Sequence, residues 1–488
     1  MKKIVICIIS ILLAVSITGC ASNAPASSGG RQSGQGKETT KEKQEEQKQK
    51  EGSDEPDSEG SLVWRIDGVL AESVNTEEGH YYIGSEEDEE NQTIYTIRYV
   101  DYKTRQEIYL CNQPNCKHDT NACNAVLPEE AVLGSSYLFK DDNYLYLAVT
   151  PVDSSGSVSE ISYSAETTLS MTPDLTPPTI YRMKFDGTDR EKIYSMDSGY
   201  LMEPIFFTDN HSIYMVTKKI SEEKDGKATY ITGYDRKLLR YNMENKKSEE
   251  IMDLDNEQTI LGVSGRQLVI GMTDYGREVT VKEQQDDATF NKLFENSEYI
   301  ITSHNIDTKK AVELKRYKQN KLHSERIRNG ILYSSYEGEK EISMIALDTN
   351  EEKKLPTKQS YQIEYVLEQG VDMYTQDEQA RATAAIIGSP WDIDEEGYSS
   401  YLINVKEGTE TKSTLKNRYH KPIEIIAENS DFLYVVSDYE EVKEYVPWMD
   451  LYQDVIGKVT YSIISKKDFC ENKDSYQNVK VINMGEWG

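Results

Sequence analysis

Several things are scarce in this 488-residue chain. It has six cysteines, six histidines, four tryptophans and eight phenylalanines. It carries no Gly-x-Ser-x-Gly elbow, no Asp-box of the sialidase type and no phosphate-binding glycine-rich loop. With so few histidines, no Ser/His/Asp set assembles convincingly. Basic residues are also outnumbered. Lys and Arg total 55 against 85 Asp and Glu, a net charge of −30. That balance argues against nucleic acid or anionic lipid as the main partner, because both are polyanions. Mean hydropathy is −0.67, which excludes a polytopic membrane protein. One residue type is plentiful: 34 tyrosines. Tyr-rich, Ile/Val-rich sequence with frequent short turns points to β structure.

The first nineteen residues read as a lipoprotein signal peptide. Lys2 and Lys3 precede an apolar run from Ile4 to Ile17, and Ile17-Thr18-Gly19-Cys20 ends it. Small residues before a cysteine match the bacterial lipobox, in which the cysteine receives a diacylglycerol thioether. Cys20 is therefore the expected lipidation site. Two or three acyl chains, palmitate among them, would hold the protein stably on the extracytoplasmic face of the cell membrane. Residues 20–60 follow as the lipidated cysteine and a tether of Ser, Gly, Gln, Lys and Glu. Such composition cannot bury enough apolar surface to offset its ordering entropy. Its reach as a flexible coil is about 30–40 Å.

Residues 61–488 repeat one phrase. An Asp, Asn or Gly turn leads into an alternating strand, as in Asn143-Tyr144-Leu145-Tyr146-Leu147, Ser212–Val216, Gln267–Ile270 and Asp431–Val435. The same strand is expected at His80–Ile83, Gly330–Tyr333 and Val371–Tyr374. A second strand then recurs at Ile94–Ile97, Ile180–Met183, Leu238–Tyr241, Tyr299–Ile301, Ile342–Ile345, Tyr401–Ile403 and Tyr461–Ile464. Seven antiparallel units with no helical period between them predict an all-β fold, a β-propeller of seven blades, with six or eight as the neighbouring counts. Ser61–Ile66 or the tail Val479–Met484 is expected to complete the last blade. Rim insertions are expected at residues 154–178, 278–296, 376–399 and 438–459. Phe290, Leu293 and Phe294 in the second, and Trp448, Leu451, Tyr452 and Val455 in the last, have helical spacing. Insertions bearing Trp391 and Trp448 are where a ligand face would be built. Asp392-x-Asp394-x-Glu396-Gly397 resembles the start of a calcium loop but lacks the terminal bidentate acid, so it reads as an acidic turn.

The sharpest local signal is Cys111-x4-Cys116-x-His118-x4-Cys123. Three thiols and an imidazole suit a closed tetrahedral site, a structural Zn²⁺ with ligand atoms within about 4 Å of one another. The alternative is disulfide bonding among Cys111, Cys116, Cys123 and Cys470, which an exported chain permits. Either way the motif clamps a turn.

The lipobox, the tether, the Cys/His motif and the phrase Tyr181-Arg182-Met183-x-x-Asp186-Gly187-Thr188 resemble a family of propeller-type surface lipoproteins from Gram-positive anaerobes of the clostridial kind. Their propeller is similar to that of the periplasmic Tol system. The resemblance covers most of the chain and implies fold and location, not a biochemical role. The functional expectation is a binding or scaffold module for a protein, peptide or glycan. The alternative is a propeller-type polysaccharide lyase or glycosidase, which would need titratable side chains converging in the axial funnel.

Overall fold

The computed structural model describes residues 60–64, 73–87, 93–132, 134–151, 177–225, 228–280, 283, 286–368, 383–390, 399–446 and 451–482. The compact unit is Gly60–Gly488. It is a seven-bladed β-propeller. A short first strand, β1 (Val63–Trp64), precedes the blades. Blade one comprises β2 (Ser73–Asn75), β3 (Gly79–Glu87), β4 (Thr93–Asp101) and β5 (Gln106–Tyr109). After α1 (Glu129–Val132), blade two follows as β6 (Gly134–Lys140), β7 (Leu145–Pro151), β8 (Thr179–Met183) and β9 (Glu191–Ser195). Blade three is β10 (Tyr200–Thr208), β11 (Ser212–Asp225), β12 (Ala228–Asn242) and β13 (Lys247–Leu254). Blade four has β14 (Gln258–Ser264), β15 (Gln267–Asp274), helix α2 (Asp287–Asn296), β16 (Glu298–Asn305) and β17 (Ala311–Lys318). Blade five contains β18 (His323–Arg328), β19 (Ile331–Tyr336), β20 (Glu341–Ala346) and β21 (Glu352–Pro356). In blade six the strands are β22 (Tyr361–Glu368), β23 (Thr383–Pro390), β24 (Tyr401–Asn404) and β25 (Glu410–Lys412). Blade seven ends the ring with β26 (Glu424–Glu428), β27 (Phe432–Val446), β28 (Leu451–Ser465), helix α3 (Lys466–Cys470) and β29 (Gln477–Asn478).

The repeated phrase marks the second and third strands of the blades, because these are buried on both faces. In β7, Leu145, Leu147 and Val149 pack into the core between blades one and two. Tyr146 and Ala148, of opposite parity, pack into the core between blades two and three. Each of the seven seams has such a cluster. The turn before the second strand is a side-chain device. Asp209 Oδ1 accepts from the backbone N–H groups of His211 and Ser212, and its Oδ2 accepts from Tyr214 Oη at 2.8 Å. Asp141 does the same for Asn143, Tyr144 and Tyr146. One carboxylate thus fixes the turn and the tyrosine five residues later.

Four expectations are corrected. The segment after residue 60 does not complete the last blade: Val63 and Trp64 pair with Thr208 and Phe207 of β10, at the inner edge of blade three. Blade six takes its second strand from Thr383–Pro390, while Val371–Tyr374 lies outside the described residues. Among the described residues, 438–446 and 451–459 form no helix. They belong to the long strands β27 and β28, in which Tyr445 faces Tyr452 and Val442 faces Val455. Period-2 pairing of β-branched and aromatic residues satisfies that stretch better than a helical stripe. Cys470 forms no bridge. Its thiol is free and packs with the blade six–seven cluster around Leu402, Leu433 and Phe469. The helix expected around Phe290, Leu293 and Phe294 is α2, capped by Asp286, which accepts from Thr289 N.

The two faces differ. Turns joining first to second strands in blades one to five and seven, and third to fourth strands in blades one and three to six, are short, and several are Asx turns, as at Asn242, Asn305 and Asn404; blade six's first-to-second connection lies outside the described residues, and blade seven's third-to-fourth connection carries α3. Second strands end and third strands begin at the other face, with 27 positions between Pro151 and Thr179, α2 between Asp274 and Glu298, and 10 positions between Pro390 and Tyr401.

Apart from β1 on blade three, every blade is built from consecutive strands, and among the described residues no strand is shared across the closing seam. Blades seven and one meet through a small core: Val100, Ala427, Tyr434, Ile463 and Val479. A polar latch reinforces it. Lys480 pairs in parallel with Gln106, the outer strand of blade one, and Ile482 N donates to Glu107 Oε2 at 2.6 Å. Glu107 is buried and also accepts from Tyr82 Oη and from Arg98 Nη1. Replacing Glu107 by Ala leaves the buried Arg98 with only the more distant Glu86 carboxylate, at 3.9 Å, and removes the acceptor of Ile482 N. The expected loss is about 3 kcal/mol, read as a lowered midpoint in urea unfolding.

Candidate metal centre

The Cys/His motif is an excursion from the outer edge of blade one. β5 pairs with β4 down to Tyr109, and Leu110 N still donates to Ile97 O at 3.0 Å. The chain then leaves the sheet and returns at Ala125–Leu127, where Val126 bridges Thr96 and Leu127 N donates to Tyr95 O. Residues 111–124 are therefore a loop with both ends held in one strand ladder. Asn115 and His118 take left-handed backbone angles (φ 60° and 59°), which tighten the loop on itself. Gly187 fixes its base: at φ 79°, a Cβ there would meet Leu110 O at 2.6 Å.

The loop brings all four side chains together. One ligand atom from each of Cys111, Cys116, His118 and Cys123 lies within 4.8 Å of all the others. His118 Nδ1 and Cys123 Sγ are 3.2 Å apart. Tetrahedral bonds of 2.0–2.3 Å put ligand atoms about 3.3–3.8 Å apart, so the cluster needs only a small contraction to close on an ion. Cys123 is fully buried, and Cys111 and Cys116 pack at the edge of the blade one–two core. The imidazole stacks on Tyr109 with ring centroids 4.1 Å apart. Tyr109 in turn donates to Glu86.

The thiols are all free. Burial pushes the Cys123 thiol up to about 12, against backbone N–H donors from Ala125 and Val126. Burial also opposes ionisation of Cys111, but the Gln113 amide and the neighbouring thiols outweigh it and lower its pKa. Burial holds His118 below its ordinary value, so its ring is neutral at pH 7 and available as a ligand. The donor set fits a soft divalent ion.

Cys20, Trp391, Trp448 and the acidic turn Asp392–Gly397 lie outside the described residues.

Titratable groups do converge at the axis, at the end carrying the tight turns. Glu428, at the end of β26, meets Arg328 from β18 at 2.6 Å and Lys466 from α3 at 3.1 Å. Arg328 also reaches Glu368 at 3.0 Å. Nothing in the sequence signals this cluster, because its members are up to 138 positions apart. Two cations answer two carboxylates, so the group reads as a buried tie across blades five, six and seven. Further along the same first strands, desolvation raises the Glu364 and Glu424 carboxyls above the usual range.

No protein-family model matches the chain, and no curated protein does. Among solved structures it is similar to dipeptidyl peptidase 4 of Porphyromonas gingivalis, at 10% identity and TM-score 0.39 over 83% of this chain and 51% of that one. It spans about half the length of that peptidase. An oligogalacturonate lyase from Vibrio parahaemolyticus matches at 8% identity and TM-score 0.39 over 86% of each chain. The β-propeller domain of the Trilobed protease from Pyrococcus furiosus matches at 9% identity and TM-score 0.30, over 72% of this chain and 96% of that one.

Lys466 tests the axial tie. Burial, the larger effect, raises the Glu428 carboxyl above its ordinary 4.5 despite Arg328 and Lys466. A carboxyl raised in the folded state costs stability as pH climbs through its folded pKa, and costs least below 4.5. Removing a cation raises it further. Lys466→Met should therefore lose about 3 kcal/mol relative to the parent at pH 8, and distinctly less at pH 4.5, in paired chemical-denaturation curves.

Proposed function

We propose that the chain is a lipid-anchored, extracytoplasmic binding or scaffold module that presents one propeller face to a protein, peptide or glycan. The observation that carries this reading is the asymmetry of the two faces. The strand ends that lead into the longest second-to-third separations, Pro151 to Thr179 and Asp274 to Glu298, lie on one side, and most turns between described strands on the other are short and self-capped. Loops elaborated on one end of a rigid scaffold are where binding surfaces are built. The position of Gly60 agrees. Its carbonyl accepts from Arg266 Nη1 at 3.0 Å, and Leu62 N donates to Gly265 O, so the propeller starts at the tight-turn face. A chain tethered through Cys20 joins there and leaves the elaborated face opposite the point of attachment.

The rival reading is a propeller-type polysaccharide lyase or glycosidase. Its support is the pair Glu364 and Glu424 on neighbouring first strands, since a raised carboxyl suits a general acid. The module reading is preferred because the charged groups that meet at the axial end, Glu428, Arg328, Glu368 and Lys466, are mutually paired.

The Cys/His loop serves this module as a structural clamp, and Zn²⁺ is the ion its donors suit best: three thiolates and one neutral imidazole with no position left for water. Both ends of the loop lie in the ladder beside the blade one–two core, so the ion would stabilise that seam by linkage.

Two measurements test these readings. The full chain carrying Cys20→Ala, released from the membrane, is immobilised for capture from the native envelope and for a glycan array. Retention of a specific partner supports the module; no partner in either, together with polysaccharide cleavage that Glu424→Gln abolishes, would favour the enzyme. For the metal, protein purified without chelator is expected to contain one zinc per chain, and dipicolinate should lower its melting temperature by several degrees. Cys111→Ser/Cys116→Ser protein should melt low with or without chelator. Destabilisation by reductant alone would point to a disulfide instead.

A further inference from the structure

One face of blade one carries a row of charged and phenolic side chains. Register sets it. Tyr82 of β3, Arg98 of β4 and Tyr109 of β5 lie directly opposite one another, so they share a face. Gly84 and Glu86 follow Tyr82 at alternate positions, and Glu107 precedes Tyr109 by two, so these join the row. Val100, two positions on from Arg98, packs into the core between blades seven and one. At one end of the row the His118 imidazole stacks on Tyr109, with ring centroids 4.1 Å apart, so the Cys/His loop touches it there. At the other end Glu107 accepts from Ile482 N at 2.6 Å, beside Lys480 N, which donates to Arg105 O. The tail is latched at that end.

Arg98 stands between the two ends. Its side chain is 7% exposed, and a guanidinium so deeply buried has to be paired. Two carboxylates flank it, Glu107 at 3.3 Å and Glu86 at 3.9 Å. Each carboxylate has a further tie. Glu107 holds the tail and accepts from Tyr82 Oη. Glu86 Oε2 accepts from Tyr109 Oη at 2.8 Å. The guanidinium carbon lies 5.5 Å from the centre of the Tyr109 ring, and a Cβ on Gly84 would meet Arg98 Nε at 2.7 Å, so the glycine leaves the room that Arg98 occupies. One cation is thus divided between a carboxylate tied to the metal loop and a carboxylate tied to the tail.

We propose that ion binding in the Cys/His loop regulates the latch of the tail, and with it the closing seam, through Arg98. An ion held by His118 Nδ1, the nitrogen 3.2 Å from Cys123 Sγ, fixes the imidazole against Tyr109. The phenol then keeps its hydroxyl on Glu86, and Arg98 is left to Glu107. Without the ion the stack loosens, Tyr109 releases Glu86, and Glu86 draws the guanidinium away from the carboxylate that accepts Ile482 N. Coupling between two sites needs an element with two discrete positions that both sites bias, and Arg98 supplies it. This inference rests on the zinc reading of the loop and gives that site a regulatory consequence on the far flank of the blade.

The test follows amide hydrogen exchange at Lys480 and Ile482 in the full chain carrying Cys20→Ala, loaded with Zn²⁺ and after treatment with dipicolinate. Zinc is expected to slow exchange at both amides about tenfold, an ordinary strength for coupling between sites. Tyr109→Phe keeps the stack but removes the hydroxyl; it should still bind one zinc per chain, with exchange at the tail fast in both states. Glu86→Gln removes the competing charge, and exchange should be slow in both states. Both variants should keep the parent's circular dichroism spectrum. Bound zinc with protection confined to residues 111–127 would overturn the relay and leave the clamp intact. So would protection spread evenly over all seven blades, or a parent-like response to zinc in either variant. A chain that binds no zinc would overturn the clamp and the relay together.

Discussion

Everything in this propeller depends on the seam between blades seven and one. Six seams are crossed by continuous chain, so the sheets on either side are held together covalently as well as by their cores. The seventh joins the two ends of the ring, and no described strand is shared across it. Among the described residues its apolar cluster is the smallest of the seven, with five buried members, and His80 packs beside Tyr434 with its pKa depressed by burial to about 3. What that core lacks is supplied by polar contacts made at long sequence range. Lys480 pairs beside Gln106, Ile482 caps Glu107, and Asn75 donates to Glu428 O. A buried carboxylate such as Glu107 stabilises only while its partners remain. The ring therefore closes conditionally, and its conditions reside in the last few described residues.

The Cys/His loop and this seam lie on opposite sides of blade one. The blade is held on one flank by hydrogen bonds to the tail and on the other by the base of the loop, where Arg190 of blade two donates to Val126 O at 2.6 Å. An ion closing the four ligands would stiffen a segment whose own sequence, Asn-Gln-Pro-Asn and Asp-Thr-Asn-Ala, offers little apolar surface to pack. That is a physical reason for concentrating three of the chain's six cysteines in thirteen residues.

The parts legible in the sequence are those where one chemical rule dominates. Second and third strands, such as Leu145–Val149 and Ile180–Met183, are buried on both sides and read as apolar runs. The turns before these strands are legible as Asp, Asn or Gly positions, while the tie from Asp141 or Asp209 to the tyrosine five residues on needs the structure. First strands were invisible. β22 mixes buried Ile363 and Leu367 with Gln362 and Glu364 facing out, and a register shift breaks its alternation. The β27–β28 hairpin is ambiguous in the sequence because Leu451, Tyr452 and Val455 fit a helical stripe and a strand pairing equally well over so short a window. The cross-strand partner Tyr445 decides between them. The four cluster members of the Cys/His loop were readable because they are close in sequence. Glu428, Arg328, Glu368 and Lys466 were not, since only the closed ring brings them together.

The placement of β1 has a mechanical meaning. A load applied at Gly60 would be borne first by a two-residue strand on blade three and by Arg266, roughly the far side of the ring from the seam that closes it. Shear of that kind would strip Val63 and Trp64 from β10 before it strained the junction of blades one and seven. Under such a load the leading segment would act as a fuse, yielding first while the ring keeps its shape.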